Sequence, residues 1–245
     1  MMAVLGRRFA WSAAALLLGL GAACARSGEA PELALWRIVA DGCREGATAD
    51  PAAPLQCRPA EGIAVLKDRC GEGHYLVLPL ARRSGIESAE LLQPAEPDYL
   101  ALAWAQRGRS LGLAPGQAVD AQADLGLAIN SRYGRSQAQL HVHIDRVRPA
   151  VRAALDALAR PVASGTLVEL EGHSYRIDRL ASLAPSPLPE LIRAWQAADE
   201  DARAHLTLAV VGDRAGGWFL LSDRADLLRL DRGHAEDLLR ERSCR

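Results

Sequence analysis

Polar and apolar residues alternate over residues 139–145, near the middle of the chain. The polar positions are Gln139, His141, His143 and Asp145. In a β-strand, a period of two places these four side chains on one face and the apolar residues between them on the other. The pattern predicts a strand over residues 139–147. Its apolar face enters the core, and its exposed face carries two imidazoles and a carboxylate.

The rest of the first half divides into short apolar segments separated by glycine, proline and acidic residues, which are typical of turns. The predicted elements are a helix at 36–43, a loop at 47–59, hairpin strands at 63–67 and 75–80, a loop at 91–97, a helix at 98–111, a strand at 125–130, a turn at 131–136 and a helix at 149–158. Strands and helices therefore alternate in short units.

The second half has a similar order of elements. The predictions are hairpin strands at 166–170 and 174–180, a helix at 189–203, strands at 206–211 and 218–222, and a closing helix at 235–242. Hairpin, helix, strand, strand and helix thus occur twice, although the halves share almost no residue identity. We expect an α+β fold with antiparallel sheets flanked by helices. Two pseudo-repeated halves would form two sheets related by a pseudo-twofold axis.

Composition is that of an ordinary globular protein. Hydrophobic residues make up 49% and charged residues 24% of the 245 residues, and the formal net charge is -1. The chain is long enough for one large domain or two small ones. Because no basic run is present, we expect no nucleic-acid partner.

Residues 1–25 have the pattern of a targeting segment. Arg7 and Arg8 precede an apolar run at 9–23, which predicts that the N-terminus stays inside and the remainder crosses the membrane. The run is shorter than the roughly 20 residues of a comfortable membrane span. Residues 23–25, Ala-Cys-Ala, fit a small-x-small cleavage site. A cleaved signal sequence and an uncleaved anchor therefore both stay open.

Cysteine usage agrees with export. Apart from Cys24, the chain has Cys43, Cys57, Cys70 and Cys244. An even number of cysteines in an exported chain predicts disulfides, and four allow three pairings. We favour Cys43 with Cys57, which brackets the loop at 46–54, and Cys70 with Cys244, which ties the C-terminus to the body. Each bridge contributes about 3 to 5 kcal/mol.

Three interpretations fit the predicted strand at 139–147, which we call the histidine strand. His141 and His143 are surface residues of a half-buried strand, or ligands of a metal, or a catalytic nucleophile and its neighbour. The metal interpretation reads His141, His143 and Asp145 as the His-x-His-x-Asp ligands of a zinc hydrolase. Arg146 disfavours it, because the metallo-β-lactamase pattern continues there with histidine.

The nucleophile interpretation follows from a resemblance to the histidine triad superfamily. Those proteins carry alternating histidines on a strand, preceded by a turn of glycine, a polar residue and serine or threonine. Here residues 134–136 read Gly-Arg-Ser ahead of the histidine strand, and an earlier block reads His-Tyr-Leu-Val-Leu-Pro at 74–79. Two blocks in the same order are more specific than either alone. The triad positions fall on Gln139, His141 and His143.

Within that superfamily the chain resembles the CDP-diacylglycerol diphosphatase family, from about Trp36 to the C-terminus. The residues that carry the resemblance are Val65-Leu66-Lys67-Asp68, Leu102-Ala103-Trp104, Leu127-Ala128-Ile129-Asn130-Ser131-Arg132, Gly134-Arg135-Ser136-Gln137, His141-Val142-His143-Ile144, Arg148-Pro149 and Gly172-His173-x-Tyr175. Three residues depart from the pattern. Gln139 replaces the first triad histidine, and Asp145 and Arg146 replace small residues.

The resemblance implies an enzyme that hydrolyses the diphosphate bond of the liponucleotide to CMP and phosphatidate without a cofactor. His141 would attack phosphorus, giving a nucleotidyl-histidine intermediate, and His143 would donate a proton. The substrate-binding candidates are Asp68, Lys67, Asn130, Arg135, Ser136 and Gln139. Among them Asp68 would accept from the ribose hydroxyls, whereas Lys67, Arg135 or Arg132 would neutralise the second phosphate.

The same resemblance suggests how the chain is organised. Residues 1–25 would be a signal sequence or membrane anchor, 26–60 a lead-in helix and disulfide-closed loop, 61–160 the catalytic histidine-triad-like half, and 161–245 a catalytically silent half. We expect a single N-terminal anchor in a bacterial-type inner membrane, with the enzyme on the periplasmic side and membrane lipid around its substrate. No oligomer would be required.

Two alternatives from other functional classes stay open. One is a zinc-dependent phosphohydrolase that uses His141, His143 and Asp145. The other is a non-catalytic exported nucleotide-binding protein, which the loss of histidine at Gln139 favours. Sensitivity to a chelator would identify the first, and nucleotide binding without turnover would identify the second.

Overall fold

The computed structural model of the chain describes residues 30–46, 48, 50, 52–113 and 124–239, and within them the chain is α+β. The strands are β1 Leu55–Arg58, β2 Ile63–Lys67, β3 Tyr75–Pro79, β4 Leu125–Ile129, β5 Val142–Arg146, β6 Thr166–Leu170, β7 His173–Leu180, β8 Leu206–Gly212 and β9 Trp218–Arg224. They form one antiparallel sheet in the order β1-β2-β3-β5-β4-β8-β9-β7-β6.

The expectation of two separate sheets was wrong. The halves join edge to edge, because β4 pairs with β8 from Gly126 opposite Val211 to Ile129 opposite Leu208. Every residue of β4 and β8 is buried. An unpaired edge at that depth would leave backbone N–H and C=O groups without partners. The strand order β2-β3-β5-β4 is followed by β8-β9-β7-β6, so the order in the second half mirrors that in the first.

Five helices accompany the sheet in the described residues. They are α1 Ala34–Gly42, α2 Tyr99–Ala105, α3 Pro149–Asp156, α4 Leu188–Ala194 and α5 Glu200–Ala204. The Asp98 side chain caps α2 by accepting from Ala101 N at 3.1 Å, and the predicted helix at 98–111 continues from Arg107 to Leu111 as a 3-10 helix. The predicted helix at 189–203 is broken into α4 and α5, with Gln196 between them at φ 53°.

Each face of the sheet buries its own core. On the side of α2, Leu127 and the cross-strand Ile144 pack with Trp104. On the opposite side, Ala128 packs with Val151 of α3 and with Leu238 near the C-terminus. His143 lies opposite Ala128 in the β4–β5 ladder, so its imidazole belongs to the face of α3.

Strand β1 lies within the segment predicted as a loop at 47–59. It pairs with β2, with Cys57 opposite Ala64, and the predicted Cys43–Cys57 disulfide attaches it to the end of α1 with a Cα–Cα distance of 5.5 Å. Cys70 is also disulfide-bonded. Its predicted partner, Cys244, lies outside the described residues, so that pairing stays a prediction.

The ends of the chain are only partly described. The closing segment forms a 3-10 helix at Ala235–Leu238, whereas residues 240–242 of the predicted helix at 235–242 lie outside the described part. The predicted targeting segment at 1–25 also lies outside it. Among the described residues, no helix combines the length and the apolar character needed to cross a bilayer.

Candidate active site

The segment ahead of β5 is held by the loop that follows β3. The Gln139 carboxamide donates to Pro79 O and Ala81 O, each at 3.0 Å, and accepts from Arg83 N at 3.3 Å. The next amide, Leu140 N, donates to Arg83 O at 2.6 Å. Because these bonds leave the ladder, the strand begins at Val142 rather than at the predicted residue 139. Gln139 therefore anchors the backbone that leads to His141.

The imidazole face of β5 is buried, which contradicts its predicted exposure. The exposed fractions are 0% for Gln139, 8% for His141, 3% for His143 and 3% for Asp145. The 3-10 helix at Ala235–Leu238 packs near this face and brings Glu236 Oε2 to 2.9 Å from His143 Nε2. Sequence alternation identified the shared face but could not show that a segment about ninety residues later covers it.

His141 is fixed as a neutral imidazole. Its Nδ1 lies 2.6 Å from the carbonyl oxygen of Gln139, and because a carbonyl only accepts, Nδ1 must carry the hydrogen. Burial, and next the charge of nearby His143, lower the pKa of His141 to about 3. The other nitrogen, Nε2, therefore keeps its lone pair at neutral pH.

His143 lies in a line of four side chains. Its Nδ1 is 3.0 Å from Nε2 of His74, and the two ring planes are nearly parallel, with an angle of 2° between them and 5.2 Å between the ring centroids. The other ring nitrogen of His74, Nδ1, lies 3.0 Å from Asp68 Oδ2. Glu236 Oε2 is at the other end, beside His143 Nε2. The line thus runs from a carboxylate through two imidazoles to a second carboxylate.

Each of the three contacts along this line requires one hydrogen. The nitrogens that face Asp68 and Glu236 each carry a hydrogen, because a lone pair so close to a carboxylate oxygen would be repelled. A third proton lies between the rings, because two lone pairs 3.0 Å apart would also repel. The three contacts along the line therefore hold three hydrogens, with a carboxyl group at each end.

The turn after β4 is joined to the segment that supplies Glu236. Asn130 Oδ1 accepts from Glu236 N at 3.1 Å, which directs the amide nitrogen of Asn130 away from that contact. Gly233 O accepts from Ser131 N at 3.0 Å. At Gly134 a Cβ atom would lie 2.6 Å from Gly233 O, so only glycine fits this approach. The turn and the closing segment therefore position each other.

The predicted anion-binding residues differ in their surroundings. Arg135 forms a two-pronged ion pair with Glu87, with Nη1 2.7 Å from Oε2. Burial raises the pKa of the Glu87 carboxyl, but the Arg135 contact outweighs burial and the pKa is lowered. Lys67 Nζ donates to the carbonyls of Asp68 and Gly71 at 2.8 and 2.6 Å. Ser136 is exposed.

The histidine strand does not form a metal-ligand set. Both ring nitrogens of His143 face protein groups, and Nδ1 of His141 faces a carbonyl. Asp145 Oδ1 accepts from Arg146 N at 2.7 Å. Within the part of the chain that the structure describes, the group with close ligand spacing is instead His173, Asp223 and Asp231 in the second half.

Sequence reasoning missed two members of the line. It gave His74 no role in the site, yet Leu76, two residues on and on the same face, pairs across with His143. Strand periodicity combined with the β3–β5 pairing would have placed His74 next to His143. Glu236 gave no comparable signal, because its approach depends on the packing of the closing segment.

The chain is similar to a known protein family and to a named protein of that family. A family model described as CDP-diacylglycerol pyrophosphatase matches residues 30–245. A protein of Yersinia pestis named CDP-diacylglycerol pyrophosphatase is 36% identical over 217 residues, which cover 84% of this chain and 81% of that protein. The matched region contains every residue of the buried imidazole line.

Proposed function

The chain belongs to the CDP-diacylglycerol pyrophosphatase family, and on that premise we propose that His141 is the nucleophile by which it hydrolyses CDP-diacylglycerol to CMP and phosphatidate. The enzyme is a hydrolase of a diphosphate bond. The observation that carries the mechanism is the neutral His141, whose Nδ1 is held by Gln139 O at 2.6 Å. An imidazole in this tautomer attacks phosphorus through Nε2 without first losing a proton.

In the first step, Nε2 of His141 bonds to the phosphorus nearest cytidine, and the bond from that phosphorus to the bridging oxygen breaks. Phosphatidate leaves, and the leaving oxygen takes the Nε2 hydrogen of His143, the one that faces Glu236. The hydrogen between the rings stays on Nδ1 of His143, so the His143 and His74 pair would carry one positive charge before this step and none after it. The new cytidylyl-imidazolium is positive, and its Nδ1–H continues to donate to the carbonyl oxygen of Gln139. A fixed dipole at this point stabilises the charge as it develops.

In the second step, water attacks the same phosphorus and the bond to Nε2 breaks. The water proton returns to the His143 and His74 pair, CMP leaves, and His141 is neutral again. Protons balance over the cycle, because the one lent to phosphatidate is restored by water. Asp68 and Glu236, at the two ends of the line, stabilise the charged state of the pair before the first step.

The remaining candidates would bind the substrate. Asn130 would donate its amide hydrogens to phosphate oxygens, because its Oδ1 already accepts from Glu236 N, and exposed Ser136 would add a hydroxyl. Asp68 Oδ1, which already accepts from Cys70 N at 2.9 Å, would also accept from the ribose hydroxyls, because a carboxylate oxygen can accept more than one hydrogen bond. Arg135 and Lys67 already contact protein acceptors, so we assign them to the positive field around the second phosphate rather than to direct pairing.

We further propose that residues 61–160 and 161–245 are two histidine-triad-like halves. The mirrored strand order supports this division. In it β9 corresponds to β5, but Trp218–Arg224 contains no histidine, so the second half would be catalytically silent. One chain would then contain the arrangement of a dimer, and no further oligomer would be required.

For the N-terminus we propose a single anchor at 1–25, with the enzyme on the periplasmic side of a bacterial-type inner membrane. The described chain begins beside the catalytic segment, because Ala138 N donates to Glu32 O at 2.6 Å and Leu35 N donates to Gln137 Oε1 at 3.0 Å. An anchor that ends just before this point would keep the site near the lipid surface. Its cleavage would be visible in the mass of the purified protein.

The test is release of CMP from CDP-diacylglycerol by the full chain, with and without EDTA. We expect release that EDTA does not affect and that falls by at least about 10³-fold in His141→Ala. The matched control is His173→Ala, which also removes a histidine paired with a carboxylate. Loss of release in EDTA would favour the zinc mechanism. Nucleotide binding without release would favour the non-catalytic alternative.

A further inference from the structure

Three leucines are exposed in one short loop, which we call the leucine loop, residues 226–231. The exposed fractions are 44% for Leu227, 98% for Leu228 and 89% for Leu230. Single exposed apolar residues are ordinary in soluble proteins, but a cluster of large ones marks a contact surface. No packing within the described chain accounts for these side chains.

Hydrogen bonds hold the leucine loop in a defined conformation, with its leucine side chains exposed. Asp226 Oδ1 accepts from Leu228 N at 3.1 Å and from Arg229 N at 3.3 Å. Asp231 N donates to Asp226 O at 3.0 Å and closes the loop at its base. Hydrogen bonds therefore hold the backbone while the apolar side chains point to solvent.

Leu230 adds a conformational cost to the cost of exposure. It has φ 62°, a left-handed conformation that glycine and asparagine adopt more easily than leucine. An exposed side chain gains nothing from the protein in return for that strain. A leucine in this conformation is explained if its side chain is buried in something other than the residues that the structure describes.

The loop lies close to the proposed site. In the segment after the loop, Gly233 N donates to Asp231 Oδ1 at 2.8 Å, and Gly233 O accepts from Ser131 N at 3.0 Å. The same segment contains Glu236, which contacts His143. Leu230 is six residues before Glu236, so even a fully extended chain would separate them by no more than about 20 Å. Whatever covers the leucines therefore lies within about 20 Å of the residue that contacts His143.

The surroundings indicate what the partner is. Exposed arginines lie within the leucine loop and on both sides of it in the sequence, namely Arg229, Arg224 and Arg232. A fourth, Arg132, follows Ser131, whose hydroxyl donates to Arg232 O. The Arg229 side chain is 86% exposed, and its ion pair with Asp226 is long, with 3.5 Å between Arg229 Nε and Asp226 Oδ2. Apolar side chains with guanidinium groups beside them match the acyl and phosphate layers of a phospholipid bilayer.

We propose that the leucine loop inserts into the bilayer surface and holds the site against the lipid. The proposal rests on the proposed function, in which the substrate carries two acyl chains that stay in the membrane. Leu227, Leu228 and Leu230 enter the acyl region, and the arginines bind lipid phosphates. The diphosphate of the substrate then reaches His141 without its acyl chains leaving the bilayer.

Photolabelling tests insertion independently of catalysis. The full chain is reconstituted into vesicles of phosphatidylethanolamine and phosphatidylglycerol that contain a phospholipid with a diazirine in one acyl chain. After irradiation and digestion, we expect lipid adducts on peptides from residues 227–230. Absence of adducts on those peptides would overturn the proposal. A contact between two copies of the chain at this loop, seen as a dimer that the variant below abolishes, would overturn it as well.

The variant Leu228→Ser/Leu230→Asn provides a kinetic test. Asparagine tolerates the left-handed conformation, so we expect an unchanged or higher Tm. With substrate in vesicles we expect kcat/KM to fall at least about tenfold, whereas with a short-chain CDP-diacylglycerol dissolved below its micelle concentration it should stay within about twofold. The matched control, Leu228→Met, keeps the apolar side chain and should keep both rates.

Each result has a distinct meaning. Equal rates for variant and wild type in vesicles, or equal losses on both substrates, would contradict docking. Wild-type protein that releases no CMP from either substrate would instead contradict the proposed function, and the photolabel on residues 227–230 would still decide whether the loop meets lipid.

Discussion

At His141, burial and one backbone carbonyl determine the state of the imidazole. The pKa of His141 is lowered to about 3, first by burial and next by the charge of His143. The sequence supplied this residue through its resemblance to histidine triad proteins. It could not supply the tautomer, because that depends on where the Gln139 carbonyl points.

The lowered pKa of His141 predicts a pH dependence of stability. The unfolded chain binds a proton at this histidine below pH about 6.5, whereas the folded protein does so only near pH 3. The stabilisation is therefore complete above pH 6.5 and is lost as pH falls toward 3, by up to about 1.4 kcal/mol per pH unit. His141→Gln should reduce the slope of unfolding free energy between pH 4 and 6, measured by urea denaturation. Equal slopes would contradict the buried neutral imidazole.

His74 is a positioning residue, because it acts through His143. His74→Ala leaves His143 Nδ1 without the neighbour that lies at 3.0 Å, so we expect kcat to fall about 10²-fold with little change in KM. His74→Gln, which keeps a hydrogen-bonding group there, should recover part of the loss and shift the pH profile. His173→Ala is the control. A kcat for His74→Ala within twofold of wild type would contradict the shared proton.

Among the elements, turns and local hairpins were the most predictable. The hairpin strands β2 and β3 agree closely with prediction, because alternating apolar residues flank a glycine-rich turn. Strand β1 was missed, since proline and alanine dominate its approach and its pairing depends on the disulfide to α1. The start of β5 was misplaced because side-chain bonds from Gln139 replace the ladder.

The turn at 131–136 and the segment at 232–234 should respond together to one added methyl group. Gly134→Ala would bring Cβ to 2.6 Å from Gly233 O and 2.9 Å from Arg232 O. Backbone on both sides cannot move as a flexible side chain would, so we expect a loss of about 1 to 3 kcal/mol of stability. Because the shifted segment carries Glu236, kcat should fall as well.

The control for that variant is Gly42→Ala, whose Cβ meets the tip of the Leu55 side chain. That tip can rotate away, so thermal unfolding and kcat should change little. If both alanine variants have wild-type Tm and activity, the close approach at Gly134 does not position the site.

In the whole molecule, one continuous sheet brings together groups far apart in sequence. The imidazole line uses Asp68, His74, His143 and Glu236. The sequence predicted the α+β class and the strand that follows His141. It did not predict that the halves would share one sheet, because pairing of β4 with β8 is a long-range choice between two buried edges.

The central claim is that His141 becomes covalently bonded to the cytidylyl group. The most direct measurement is a rapid quench of enzyme with CDP-diacylglycerol into alkaline denaturant, followed by mass spectrometry of the peptide that contains residues 139–146. We expect a cytidylyl adduct on His141, absent from His141→Ala and present in His173→Ala. A phosphatidyl adduct on that peptide, or direct hydrolysis with inversion at phosphorus and no adduct, would contradict it.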